Sequence, residues 1–209
     1  MKKEANCTMP TRATSTLKSE FEAPCASAPP VVWSIAGSDS GGGAGLQADL
    51  KAFHAFGVHG CTAVAAITAQ NSVQVTSLEA VSPELLNAQL ATLAQDLPPQ
   101  AIKTGLLGSV ANVRVVCEWV DRLRQRWPHM PLVVDPVLGA STGVSFADDE
   151  LVQAYVQQLL PRATLITPNR AEAARLLGRP ALSLDPADTA LALLHAVQVG
   201  TKHRAEPGL

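Results

Sequence analysis

The sequence is poor in charge and in aromatic rings: 16% of its 209 residues are Asp, Glu, Lys or Arg, and 4% are Phe, Trp or Tyr. Sixteen basic and eighteen acidic side chains leave a net charge of −2. That excludes a surface built to neutralise nucleic-acid phosphates or an anionic membrane. No apolar run reaches the roughly 18 residues that span a bilayer. The four cysteines (Cys7, Cys25, Cys61, Cys117) form no CxxC pair and no metal-ligand spacing, and no secretory h-region precedes them. They read as free thiols in a reducing cytoplasm. No segment repeats at a fixed period, and the absence of GxxxxGK[ST] removes a phosphate-gripping P-loop. What the chain does have is apolar residue, 47% of the total, and length enough for one domain with a sizeable core or at most two small ones.

Residues 1–30 are rich in Ser, Thr, Ala and Pro, without apolar periodicity, and predict a disordered extension. Residues 31–198 read as the folded domain and 199–209 as an irregular tail. VVWSIAG, an apolar run ending in glycines, predicts a buried strand, and CTAVAAITA, AIKTG, LVVDPV and TLITPN predict four more. Helical spacing falls between them. Segment 44–57 carries Leu46, Leu50, Phe53 and Phe56, with Gly57 as its stop. Ser82-Pro83-Glu84 opens a helix bearing Leu85, Leu86, Leu90 and Leu93. Ser109 to Arg126 places Val113, Val116, Val120 and Leu123 on one face, and helices are also predicted over 149–160, 170–177 and 186–197. Strands without polar alternation, alternating with helices, predict an α/β fold: an open, doubly wound, mostly parallel sheet with helices on both faces.

Ligands of such sheets sit beyond the carboxyl ends of the strands. The residues expected there are the loop Gly37-Ser38-Asp39-Ser40-Gly41-Gly42-Gly43-Ala44-Gly45, then Gln70 and Asn71, Lys103-Thr104-Gly105, Asp135-Pro136-Val137, and Thr167-Pro168-Asn169 with Glu172. The bland alternative for Asp135 and Asn169 is helix capping. Glycines let the loop backbone approach a ligand and present N–H groups to an anion or a polar ring. Two other readings stay open: glycines used only for close helix–sheet packing, and the dinucleotide pattern GxGxxA at Gly43–Ala48. The latter needs an acid about 20 residues on, and none occurs between Asp49 and Glu79. His54 and His59 read as solvated surface residues.

SIAGSDSGGGAGLQADLKAFHAFGVHG, ITAQNS, KTGLLGS, VVDPV and LITPNRAEAARLLG, in this order, resemble the hydroxymethylpyrimidine/phosphomethylpyrimidine kinases of thiamine biosynthesis, members of the ribokinase-like superfamily. The resemblance runs from about Val31 to Gly178. It implies transfer of a phosphoryl group from ATP, with Mg2+, to 4-amino-5-hydroxymethyl-2-methylpyrimidine and then to its monophosphate, in the cytoplasm, by an enzyme that is commonly a homodimer. It also implies roles. Gln70 would hydrogen-bond the aminopyrimidine edge, and Asp49 would bind substrate from its helix. Gly37 and Ala44 would line the pocket through the backbone, and Leu106 and Val137 would sandwich the ring. Asp135, Asn169 and Glu172 would serve the nucleotide phosphates, with Asp135 and Glu172 reaching the metal through water. The family continues with a strand carrying V-K-G-G and a Gly-Thr-Gly-Cys anion-hole loop, where this chain reads AVQVGTKHRAEPGL after His195. The expectation is therefore a kinase domain without its C-terminal strands, its anion-hole residues unassigned. Three alternatives stay open: a ligand-binding fragment without turnover, a pyridoxal kinase relative, and a nicotinamide-dependent oxidoreductase.

Overall fold

In the computed structural model, which describes residues 28–139, 145–180, 185, 189, 192 and 193, strand β1 (Val31–Asp39) runs through the middle of the sheet. Its flanking strands and the layers on both faces bury Trp33 to Gly37, which is why the run lacks polar alternation. The six strands are ordered β3-β2-β1-β4-β5-β6, where β2 is His59–Gln70, β3 Val75–Ala80, β4 Ala101–Thr104, β5 Leu132–Val134 and β6 Leu165–Ile166. Every pairing is parallel except β2 with β3. The mostly parallel α/β sheet is as the alternation predicts.

The antiparallel β3 is an addition that the pattern did not announce. VTSLEA is short and largely exposed, and it folds back on β2 through Asn71, whose Oδ1 accepts the N–H groups of Val73 and Gln74 at 2.9 Å. An edge strand with one solvated face carries no buried run to read.

Alternate β1 residues serve different layers. Trp33 and Ile35 join the core with Leu86 and Leu90 of α2 (Pro83–Asp96) and with the fully or nearly buried Val113, Val116, Val120 and Leu123 of α3 (Val110–Arg126). Ser34 faces the other way, where its hydroxyl donates to Asp49 of α1 (Gly45–Ala55) at 2.5 Å. Ser82 and Ser109 cap α2 and α3 as their sequence positions require. The fully buried Asn112 gives its amide to the carbonyls of Ala65, Val81 and Leu107 at 2.9–3.1 Å, tying the middle of β2 to the segments that follow β3 and precede α3.

Two helices differ from their sequence patterns. On α1 only Leu46 is buried; Leu50 is 40% and Phe56 85% exposed. The inward face is instead Leu46, Asp49 and Phe53, because Ser34 and Lys103 on the sheet draw the Asp49 carboxylate in. The predicted helix 149–160 is α-helical only over α4 (Asp149–Ala154), then widens to a π-turn over Tyr155–Leu159 and tightens to a 3-10 turn over Leu160–Arg162. Pro161 has no N–H to continue the helical ladder. Helix α5 (Arg170–Leu177) matches its prediction and stops at Gly178. The predicted extension 1–30 and tail 199–209 lie almost wholly outside the described residues, as does most of the helix predicted over 186–197.

Candidate active site

The carboxyl ends of β1, β2, β4 and β5 open onto a cavity of about 430 Å³. Gly37, Ala44, Gln70, Leu106, Val137 and Asp135, six of the residues selected from the sequence, line it together. Polar lining also comes from Asp39, Thr68, Asn71 and Lys103, and an aromatic side from Phe146. The register of β1 against β2 shifts between Ala36 and Gly37, where β2 carries the extra residue Ala65, just before the residues of β1 that line the cavity.

The glycine loop is organised from within. The Asp39 carboxylate accepts the N–H groups of Gly41 at 2.7 Å, Gly43 at 2.9 Å and Ala44 at 2.8 Å. Burial raises the Asp39 pKa, but Gln70 and these N–H groups outweigh burial and hold it below the ordinary carboxylate value. The donors that the sequence suggested for an anion or a ring are thus directed at the protein's own carboxylate. A pyrophosphate at a GxGxxA turn has no claim on them. Gly45 meets the packing requirement: a Cβ there would lie 2.3 Å from the Gly37 carbonyl oxygen, at φ +55°. The α1 N-terminus can approach β1 only through a glycine. Asp39 was legible in principle, since Asp two residues before Gly is an Asx-turn signal.

Lys103 sits on the cavity floor between two acids. Its Nζ is 3.0 Å from Asp49 and 3.6 Å from Asp135. Asp49 does not reach the cavity wall; its carboxylate is engaged by Lys103 and Ser34. Nor do Asn169 and Glu172 line the cavity. They form a capping box, in which the Asn169 side chain accepts the N–H groups of Ala171 and Glu172 while Glu172 accepts the Asn169 N–H at 2.8 Å. Asn169 thus caps α5, whereas Asp135 caps none of the described helices.

Burial pushes the Asp135 carboxyl up; Lys103 opposes this, and the Asp49 charge adds to it. Burial likewise raises Glu172, against the Asn169 N–H and with the Asp135 charge. Asp135 and Glu172 therefore share one negative field. Among the described residues no three His, Cys, Asp or Glu side chains converge into a metal cage. Beneath the site the buried Tyr155 hydroxyl donates to the Gly105 carbonyl at 3.2 Å, its pKa pushed up by burial. Arg175 of α5 donates to the carbonyls of Leu138 and Ala147, fixing the two stems from which Gly139 and Phe146 enter the wall. Sequence reasoning placed Lys103 at a strand end without a specific role and did not single out Phe146, Tyr155 or Arg175, since pairing across several elements leaves no local signal.

The open, mostly parallel α/β sheet with a cavity across its strand ends is of the ribokinase-like class, as its solved neighbours are. Solved structures of that class superpose on the chain. Phosphomethylpyrimidine kinase from Clostridium difficile 630 does so with a TM-score of 0.69 at 33% identity, over 82% of this chain and 71% of that one. Pyridoxal kinase from Staphylococcus aureus, in complex with AMP-PCP and pyridoxal, gives a TM-score of 0.67 at 29% identity, over 83% and 59%. The chain belongs to the phosphomethylpyrimidine kinase family, whose profile matches residues 39–203. It is 43% identical over 160 residues to the hydroxymethylpyrimidine/phosphomethylpyrimidine kinase of Rhizobium meliloti (strain 1021). That alignment covers 77% of this chain and 58% of the relative, so the chain spans less than two thirds of the curated protein it matches.

Proposed function

We propose that the chain binds 4-amino-5-hydroxymethyl-2-methylpyrimidine and its monophosphate and directs their phosphorylation by ATP. The observation that carries this reading is the convergence of Gln70, Leu106, Val137 and the Gly37–Ala44 backbone on one cavity, in a chain of this family. Gln70 offers both a donor and an acceptor, as a ring nitrogen beside an exocyclic amine requires. Leu106 and Val137 supply apolar surface for the two faces of the ring. Asp49 acts one step back, holding Lys103 on the cavity floor.

ATP use is in keeping with the AMP-PCP complex of the staphylococcal relative. Asp135 and Glu172, two carboxyls raised first by burial, would reach a hydrated divalent cation through water, and Asn169 would stand beside them at the nucleotide phosphates. Such a Mg2+ would neutralise phosphate charge; the chain's own residues position the acceptor hydroxyl and exclude water from the ring. The free thiols Cys61 and Cys117 suit a cytoplasmic location, and no helix among the described residues is long and apolar enough to cross a membrane. A homodimer is the assembly that the family resemblance favours.

Calorimetry with the pyrimidine and 31P NMR with MgATP test this reading. The wild-type chain should bind the ring and yield its monophosphate, and Gln70→Ala should weaken binding by roughly 1–3 kcal/mol with the fold intact. A wild type that ignores the pyrimidine overturns the proposal; binding without product confines the chain to ligand capture.

A further inference from the structure

We propose that Lys103 and Asp135 together hold the acceptor hydroxyl of the substrate, Lys103 donating to its oxygen and Asp135 accepting its O–H. The inference rests on the pyrimidine reading above and names the groups that face the reacting arm of that ligand. Both residues line the cavity, and their strands, β4 and β5, pair side by side. Gln70 ends β2, on the other side of β1. Neighbouring strands lie about 4.8 Å apart, so β2 and β4 are roughly 10 Å from each other. A pyrimidine held at its amine edge by Gln70, with its one-carbon arm, bridges that gap.

The groups at that end are fixed but not fully joined. Lys103 Nζ donates to Asp49 Oδ1 at 3.1 Å and to Oδ2 at 3.0 Å, and the Ser34 hydroxyl holds Asp49 from behind. An ammonium has a third N–H to give. Asp135 Oδ2 lies 3.6 Å from Nζ, near enough for attraction and too far for a hydrogen bond. A donor and an acceptor therefore face one cavity without a bond between them. Their side chains keep 20% and 34% of their surface exposed, so a ligand can reach both. Gly105 leaves room at the ammonium, since a Cβ there would stand 3.3 Å from Lys103 Nζ. A hydroxyl accepts and donates at a single atom, and it is the complement of such a pair. Set between them, it turns its proton onto the carboxylate and keeps a lone pair for phosphorus. Charge-assisted bonds on both sides hold it there, and phosphoryl transfer depends on that positioning.

The test compares calorimetric affinities for 4-amino-5-hydroxymethyl-2-methylpyrimidine and its 5-methyl counterpart, which lacks only the hydroxyl. The wild type should favour the hydroxymethyl ring by roughly a hundredfold, the scale of two hydrogen bonds to charged groups. Lys103→Met and Asp135→Ala should each cut that preference roughly tenfold while leaving the affinity for the 5-methyl ring within about twofold. A lysine that merely neutralises Asp49 would weaken both rings alike. An unchanged preference in either folded variant therefore overturns the inference. Should Lys103→Met fail to fold, the 15N resonance of Lys103 Nζ in the wild type, assigned through its side-chain carbons, decides. It should move when the hydroxymethyl ring binds and stay in place with the 5-methyl ring, and equal movement overturns the inference. Binding of neither ring by the wild type removes the pyrimidine reading itself, whereas equal binding of both removes the hydroxyl contact alone.

Discussion

At the residue scale, two carboxylates around the cavity carry opposite pH signs. Asp39 is held below the ordinary carboxylate range, so its contribution to stability is present above that range and lost as pH falls through its lowered value. Asp135 is raised, by burial first. Its favourable form is the protonated one: that stability is complete below the ordinary value and lost as pH rises through the raised value. A site that keeps Asp135 ionised at neutral pH therefore holds it against the fold. Asp135→Asn should unfold at a higher urea concentration than wild type at pH 7, and the gap should close as pH approaches 4. A gap that widens on acidification would mean that attraction to Lys103 outweighs burial.

Glycines at the two ends of α1 divide on their surroundings. Gly45 and Gly57 both have positive φ, +55° and +68°. A Cβ at Gly57 would meet nothing within 4 Å, whereas at Gly45 it would strike the Gly37 backbone at 2.3 Å. Gly57→Ala should cost about 1–2 kcal/mol, the left-handed penalty alone. Gly45→Ala should cost more than about 3 kcal/mol, because β1 and α1 must part. Equal urea midpoints for the two variants would refute the comparison. The sequence marks both glycines equally; which of them faces a backbone is decided by the packing of helix on strand. The same holds for helix limits. Capping residues Ser82, Ser109 and Asn169 mark their starts, while the π-turn at Tyr155 answers to the Gly105 carbonyl fifty residues away.

Across the whole molecule, Asn112 joins what the chain order keeps apart. Its three carbonyl partners lie within β2, just after β3 and just before α3, and it has no exposed surface. Asn112→Ala should strip all three of a donor at once. We expect a loss of about 2–4 kcal/mol from global stability, read as a shift in the urea midpoint with little change in slope. A shift below about 1 kcal/mol would indicate that water replaces the amide.

The sequence alone determined the class of fold and which strand ends line the cavity, Gly37, Ala44, Gln70, Leu106, Asp135 and Val137 among them. Buried strands, cap residues and strand ends are local signals, and the family motifs fall on them. Only the tertiary structure decided that the glycine loop turns its N–H groups onto Asp39, that Asp49 faces Lys103 rather than the cavity, and that β3 runs antiparallel. Each depends on which groups meet across the sheet, where a buried charge finds its partner. Charges pair by distance in space, and distance in space is not written in the order of the chain.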